Sequence, residues 1–217
     1  MSDTDSFIDE VSEEVRRDRL YSLMRRYGWL AILSVVLLVG GAAYNEWNKA
    51  KARQNAESLG DAILAALELP ERSDRATALA AIETPNAGAA AVVAMMAASE
   101  DLAEAPDAAV TRLLKLADRG DVSPVYRQIA TLKAVMIPDT GLTDADRRER
   151  LEGLTLASGV IRLLAEEQLA YLDVAAGASD AALERFRQIY VDSEATVGLR
   201  NRVAQVIVAL GGEITGS

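Results

Sequence analysis

An all-α fold, with an N-terminal transmembrane helix followed by a domain of paired helices, is what this sequence predicts, and three observations carry the expectation. Residues 27–45 contain no charged side chain. Beyond Pro70, apolar residues recur at helical spacing between short turn signals. No stretch shows sustained strand alternation, and alanine, the strongest helix former, is abundant throughout.

Residues 1–26 read as a cytoplasmic amphipathic tail. In "DSFIDEVSEEVRRDRLYSLMRRYG", Phe7, Val11 and Val15, then Leu20, Met24 and Tyr27, fall at helical spacing. Acids lead and arginines follow, a polarity that suits the helix dipole and a membrane surface alike. Lying on the membrane is favoured over docking to a cytoplasmic partner.

Residues 27–47 read as the transmembrane helix. The uncharged run of 19 residues makes roughly 28 Å of helix at about 1.5 Å per residue, the thickness of a bilayer's hydrocarbon core. Tyr27 and Trp29 stand at one end and Tyr44 and Trp47 at the other, where amphipathic rings prefer the headgroup level. A helix buried in a soluble protein gives no reason for that placement. Gly41, Ala42 and Ala43 offer the small residues of a signal cleavage site, yet the 26 residues before the run hold seven carboxylates, unlike the short basic start of a signal peptide. An uncleaved anchor is therefore favoured. Arg16, Arg17, Arg19, Arg25 and Arg26 precede it, whereas Lys49, Lys51 and Arg53 follow with Glu46 and Glu57 among them. The positive-inside rule then places the N-terminus in the cytoplasm and the C-terminal domain in the periplasm, for a protein of a bacterial inner membrane. The span holds neither GxxxG nor an ionisable group, so it signals neither strong helix dimerisation nor an ion path.

Residues 48–70 read as a helical linker and first helix, with Leu59, Ile63 and Leu67 on one face. Residues 71–217 form the remaining domain, with helices expected over 73–82, 87–102, 106–119, 124–137, 143–157, 159–176, 179–191 and 194–210. Punctuation comes from "TPNAG", "EAPD", "DRGDVSP", "IPDTG" and "AAGASD".

Short helices with short connections invite a search for repeats. Residues 159–194 resemble a helical hairpin of the tetratricopeptide type. Leu169 and Ala170 take the large and small packing positions of its first helix, Gly177 the turn, Ala182 the small entry of the second helix and Phe186 its aromatic plug. Ile189 stands where a smaller residue is usual. A weaker match over 90–121 uses Met96, Ala97, Ala109, Leu113 and Leu116, and residues 124–158 are helical without the pattern. A generic stack of α-hairpins accounts for the same spacing.

Composition narrows the chemistry. The 217 residues leave room for tail, anchor and one domain, and they include no cysteine and no histidine. Thiol nucleophiles, histidine-based triads and the usual zinc sites are thereby excluded, and stability rests on packing rather than disulfides. The net charge is −10, and beyond Arg26 there are 18 basic against 26 acidic residues, so no nucleic-acid partner is expected.

No catalytic constellation stands out either. Glu13 and Glu14, and Glu166 and Glu167, are adjacent acids that point about 100° apart on a helix and read as exposed surface. "DTGLTDADRRER" has the acids of a calcium loop but no glycine at its sixth position, and Arg150 stands where a bidentate glutamate belongs. There is no phosphate-cradling glycine loop and no serine with a base partner. A non-enzyme without cofactor, metal or small-molecule substrate is expected. Met95 and Met96 read as core with an adaptable peptide surface as the alternative, and Tyr126, Tyr171 and Tyr190 as contact aromatics or helix-interface closers.

The order of parts resembles the ancillary subunit family of the bacterial Sec translocon. The likeness rests on "FIDEVSEEVRRDRL" in a short acidic tail, one span followed by "NEW", an alanine-rich helical middle and the closing "AALERFRQIYVDSEATVGLRNRVAQVIVALGG". Within that close Phe186, Ile189, Asp192 and the "GLRNR" from Gly198 fall where the family has a like pattern, whereas Val197 replaces its frequent proline. The resemblance implies an inner-membrane protein facing the periplasm that partners Sec translocon subunits and a membrane-anchored periplasmic chaperone. The same repeat surface would also serve a cell-envelope or cell-division scaffold. A membrane-bound regulator is the weakest alternative, since the tail holds no recognisable effector domain. Removal of residues 28–44 is expected to leave a soluble, folded, helical domain, and a circular dichroism spectrum dominated by strand would overturn that architecture.

Overall fold

The computed structural model describes residues 3–214, with side chains described for residues 24–30 and 32–214. The tail positions Phe7, Val11, Val15 and Leu20 lie outside the residues whose side chains are described. Among the described residues there are nine helices and no strand: α1 (Asp3–Leu67), α2 (Arg72–Ala80), α3 (Ala87–Asp101), α4 (Pro106–Ala117), α5 (Pro124–Met136), α6 (Asp144–Thr155), α7 (Val160–Ala175), α8 (Ser179–Val191) and α9 (Val197–Ala209).

The chain divides into two compact units, residues 1–58 and residues 59–217, so α1 contributes to both. In the first unit, α1 includes a stretch long and apolar enough to cross a membrane, with mean hydropathy 1.8 over its best window and none of that window buried. The core helix of a soluble protein would be buried there; Leu37, Leu38 and Val39 are instead exposed.

Helix boundaries in the second unit follow local chemistry. Pro106 and Pro124 open α4 and α5 at the first turn, where a missing N–H is no loss. Asn86 caps α3 by accepting from the Ala89 N–H, and Thr196 caps α9 by accepting from Leu199. Thr143 and Asp146 form a reciprocal capping box on α6. The α7 terminus is closed by Gly177 at φ 77°, while the Ala178 N–H reaches back 2.8 Å to the Asp173 carbonyl. Only glycine adopts that conformation without penalty, which explains the residue in this turn. Gly211 at φ 78° repeats the device after α9, with the Gly212 N–H reaching back 2.9 Å to the Ile207 carbonyl, and a Cβ on Gly212 would lie 2.8 Å from the Leu183 side chain.

Each helix from α2 onward packs on its successor, and α5 also touches α3 and α7. Four small cores result, strung along the chain. Ala66, Leu79, Val93 and Ala97 join the end of α1 to α2 and α3. Ala91, Leu113, Leu116 and Ala134 join α3, α4 and α5. Leu132, Leu151 and Leu169 join α5, α6 and α7. Leu163, Ala182, Phe186 and Val203 join α7, α8 and α9. Thus α3, α5 and α7 each belong to two cores and are buried on two sides.

Burial on two sides leaves α7 with charges it cannot turn to water. Glu167 is 2 % exposed, which corrects its assignment to the surface beside Glu166. Both its oxygens are held by Arg202 of α9, at 2.6 and 2.7 Å. Asp173, also buried, accepts from Arg148 of α6 and Arg185 of α8, and Arg185 extends to Glu166 at 2.6 Å. Arg162 at the start of α7 bonds Asp192 and Glu194 in the α8–α9 turn. Its hydrogen bond, then the Glu194 N–H, holds the Asp192 carboxyl below the usual carboxylate range.

Breaking a buried pair leaves an uncompensated charge, at a cost of about 3–5 kcal/mol. Arg202 is half open to solvent, so Arg202→Ala is expected to lower unfolding stability by about 3 kcal/mol, with Arg202→Lys recovering only part because the bidentate fork is lost. Urea denaturation followed by circular dichroism measures both. Equal stability of Arg202→Ala and the parent would refute the role given to this pair.

Candidate interaction site

The four anchor aromatics, Tyr27, Trp29, Tyr44 and Trp47, are all exposed along α1. A cation stands near the outermost ring at each end: the Arg26 guanidinium 5.8 Å from the Tyr27 centroid, and the Lys51 ammonium 5.5 Å from the Trp47 centroid. Tyr44 and Trp47 pack at 6.3 Å between centroids. Aromatic rings beside long cationic side chains are the chemistry of a membrane–water boundary.

Of the hairpin positions singled out in α7 and α8, Ala170, Ala182 and Phe186 share the core of α7, α8 and α9, whereas Leu169 packs into the core of α5, α6 and α7. Leu169, Ala170, Ala182 and Phe186 are all buried, and Gly177 occupies the turn between them. Phe186 meets Tyr171 edge to face, with centroids 5.3 Å apart. Burial, with the Glu167 charge beside it, pushes the Tyr171 hydroxyl above its ordinary value. Tyr126 and Tyr190 also lie half-buried against the helix cores, so all three tyrosines close helix interfaces.

The two methionines of α3 separate. Met96 packs against the core of α1, α2 and α3. Met95 faces the other way, against the core of α3, α4 and α5, and lines an open groove of about 240 Å³. Leu102, Leu113, Met136 and Ile137 complete its apolar lining, and Lys133 is its one charged member. Leu102 and Met136 remain about half exposed at 46 % and 53 %. Flexible thioethers beside aliphatic walls adapt to varied apolar side chains, so the groove is an adaptable apolar surface. The spacing of Met95 was visible in the sequence, but Met136 and Ile137 join it only through the packing of α5 on α3.

The loop between α5 and α6, whose acids suggested and then failed a calcium pattern, is pinned from within. Arg147 donates to the carbonyls of Val135, Ile137 and Leu142 and to the Thr140 hydroxyl. Asp107 accepts from the Gly141 N–H at 2.8 Å. Among the described residues no three acidic groups converge as a metal site.

The chain matches no family model, no curated protein and no solved structure.

Proposed function

We propose that the protein is an inner-membrane-anchored, non-enzymatic interaction scaffold, with its N-terminus in the cytoplasm and a tetratricopeptide-like helical domain in the periplasm. In this role it is accessory to the Sec translocon and to a membrane-anchored periplasmic chaperone that receives emerging chains. The observation that carries the proposal is the uncharged, wholly unburied stretch of α1, with arginines before it and a helical domain after it.

Three further features support it. The serial cores, each sharing a helix with the next, have the nearest-neighbour organisation of hairpin repeats. The Met95 groove offers apolar surface of the kind an unfolded segment or partner would cover. An anchor raises the effective concentration of that groove near any membrane-embedded partner. The partner set itself rests on the likeness of the tail, the span and the closing segment to the ancillary subunit family.

Purification of the full-length protein from native membranes in mild detergent, with mass spectrometry of what accompanies it, tests the proposal. Channel subunits and periplasmic chaperones are expected, and Ser99→Trp, which fills the Met95 groove from α3, is expected to diminish them. Division or wall-synthesis proteins without the channel would transfer the scaffold to the cell envelope. Recovery in the soluble fraction alone would refute the anchor.

A further inference from the structure

A second groove lies on the other side of α3, and its chemistry is different. It occupies about 280 Å³ between α2, α3 and α4. Its floor is apolar, with Leu79, Val93 and Leu116 all under 5 % exposed. Along one wall α4 presents Arg112 and Lys115, three residues apart on one face, and the turn after α4 adds Arg119. No carboxylate lines it. In a chain of net charge −10, Arg112 and Arg119 are each balanced by a neighbouring carboxylate, and Lys115 leaves the wall with one uncompensated positive charge.

These cations retain free donors. Arg112 commits only its Nε, to Asp101 at 3.0 Å. Arg119 commits Nε and Nη2 to the two oxygens of Asp121, which leaves Nη1. Lys115 has no ion-pair partner among the described residues. The hydrogen bond from Arg119 also holds the Asp121 carboxyl below its usual range, so both stay ionised near neutrality.

We propose that this groove docks an acidic amphipathic helix of a partner protein, its carboxylates facing Arg112, Lys115 and Arg119 and its apolar side chains entering over Leu79 and Val93. The size fits side chains, because the space falls just below the about 300–1,000 Å³ of small-molecule pockets. The spacing fits a helix, because Arg112 and Lys115 lie about one turn apart on α4 and meet a partner that also repeats once per turn. The sign fits an acid, since like-charged partners are rejected. A groove of this chemistry selects acidic helices whichever complex the protein joins, so it goes beyond the scaffold role proposed above.

The test uses the full-length protein in neutral detergent micelles and a fluorescein-labelled helical peptide with glutamates at i, i+4 and i+7 and leucines on the adjoining face. A counterpart with lysines for the glutamates serves as control. The acidic peptide is expected to bind, with affinity falling about tenfold between about 50 and about 300 mM salt. Lys115→Glu, at an exposed position, is expected to weaken it about tenfold or more, Lys115→Gln less, and Lys133→Glu, outside this groove, not at all. Circular dichroism checks that each variant keeps its helices. Binding of both peptides alike, no binding, or indifference to Lys115→Glu would overturn the proposal. So would binding to anionic phosphatidylglycerol vesicles, abolished by Lys115→Glu, in place of the peptide, since the wall would then serve a lipid surface.

Discussion

The domain depends on one constraint: α3, α5 and α7 must each be buried on two sides at once. No single central core holds the chain together; each small core is completed by a helix that also completes the next. A helix in that position needs at least one side small enough for close approach. Ala91 and Ala98 on α3, Ala130 and Ala134 on α5, and Ala165 and Ala170 on α7 supply it, every one of them 3 % exposed or less. Larger residues fill gaps from the neighbours, such as Leu113, Leu151 and Phe186. Truncating one of these opens a cavity in a core that is small to begin with, and the loss passes to the next core through the shared helix.

The same constraint explains the ion pairs. Between residues 161 and 174 of α7 no side chain is fully exposed. Any acid there must either lose its charge or find a cation on an adjoining helix. Glu166, Glu167 and Asp173 find arginines on α6, α8 and α9. Such pairs add little over an apolar alternative of the same shape, yet an unpaired member is costly. Their effect is therefore to penalise any other seating of the three helices on α7. A slip of α9 by one residue would strand Glu167 without Arg202, and a misplaced α8 would free Asp173 from Arg185.

Much of the fold was legible from the sequence because its punctuation is local. Pro106, Pro124 and "AAGASD" mark the starts of α4 and α5 and the α7–α8 turn at or within a residue of their observed bounds, whereas α4 ends two residues before the expected 119. The start of α9 was less legible: it begins at Val197 rather than at residue 194, because Asp192 accepts from the Glu194 N–H and Thr196 takes the cap. Tail, span and linker form one helix, since no breaker separates them before Pro70. Glu167 was misjudged for a different reason. Adjacent acids do point apart, as expected, but which of the two faces inward depends on Arg202, 35 residues away, and no local spacing records that. The grooves share this property in part, each assembled from three successive helices whose relative packing no single helix's spacing records.

Both grooves fall in the half of the domain built from α2 to α5, on opposite sides of α3. Met95, Ala98 and Leu102 face one; Ala90, Val93 and Ala94 face the other. Around α7, by contrast, arginines bridge the helix seams and tie α6, α8 and α9 to it. Near the grooves the bridges are fewer and meet the C-terminal end of α3, as with Arg75 and Glu100 or Arg112 and Asp101. Cores held by alanine and methionine with few charged ties are fixed by apolar packing alone, without the directional hydrogen bonds that an ion pair imposes. Open apolar grooves and charge-tied helix seams are thus divided along the chain, and α5, which contributes to the core of α3 and α4 as well as to that of α6 and α7, is the helix that joins the two halves.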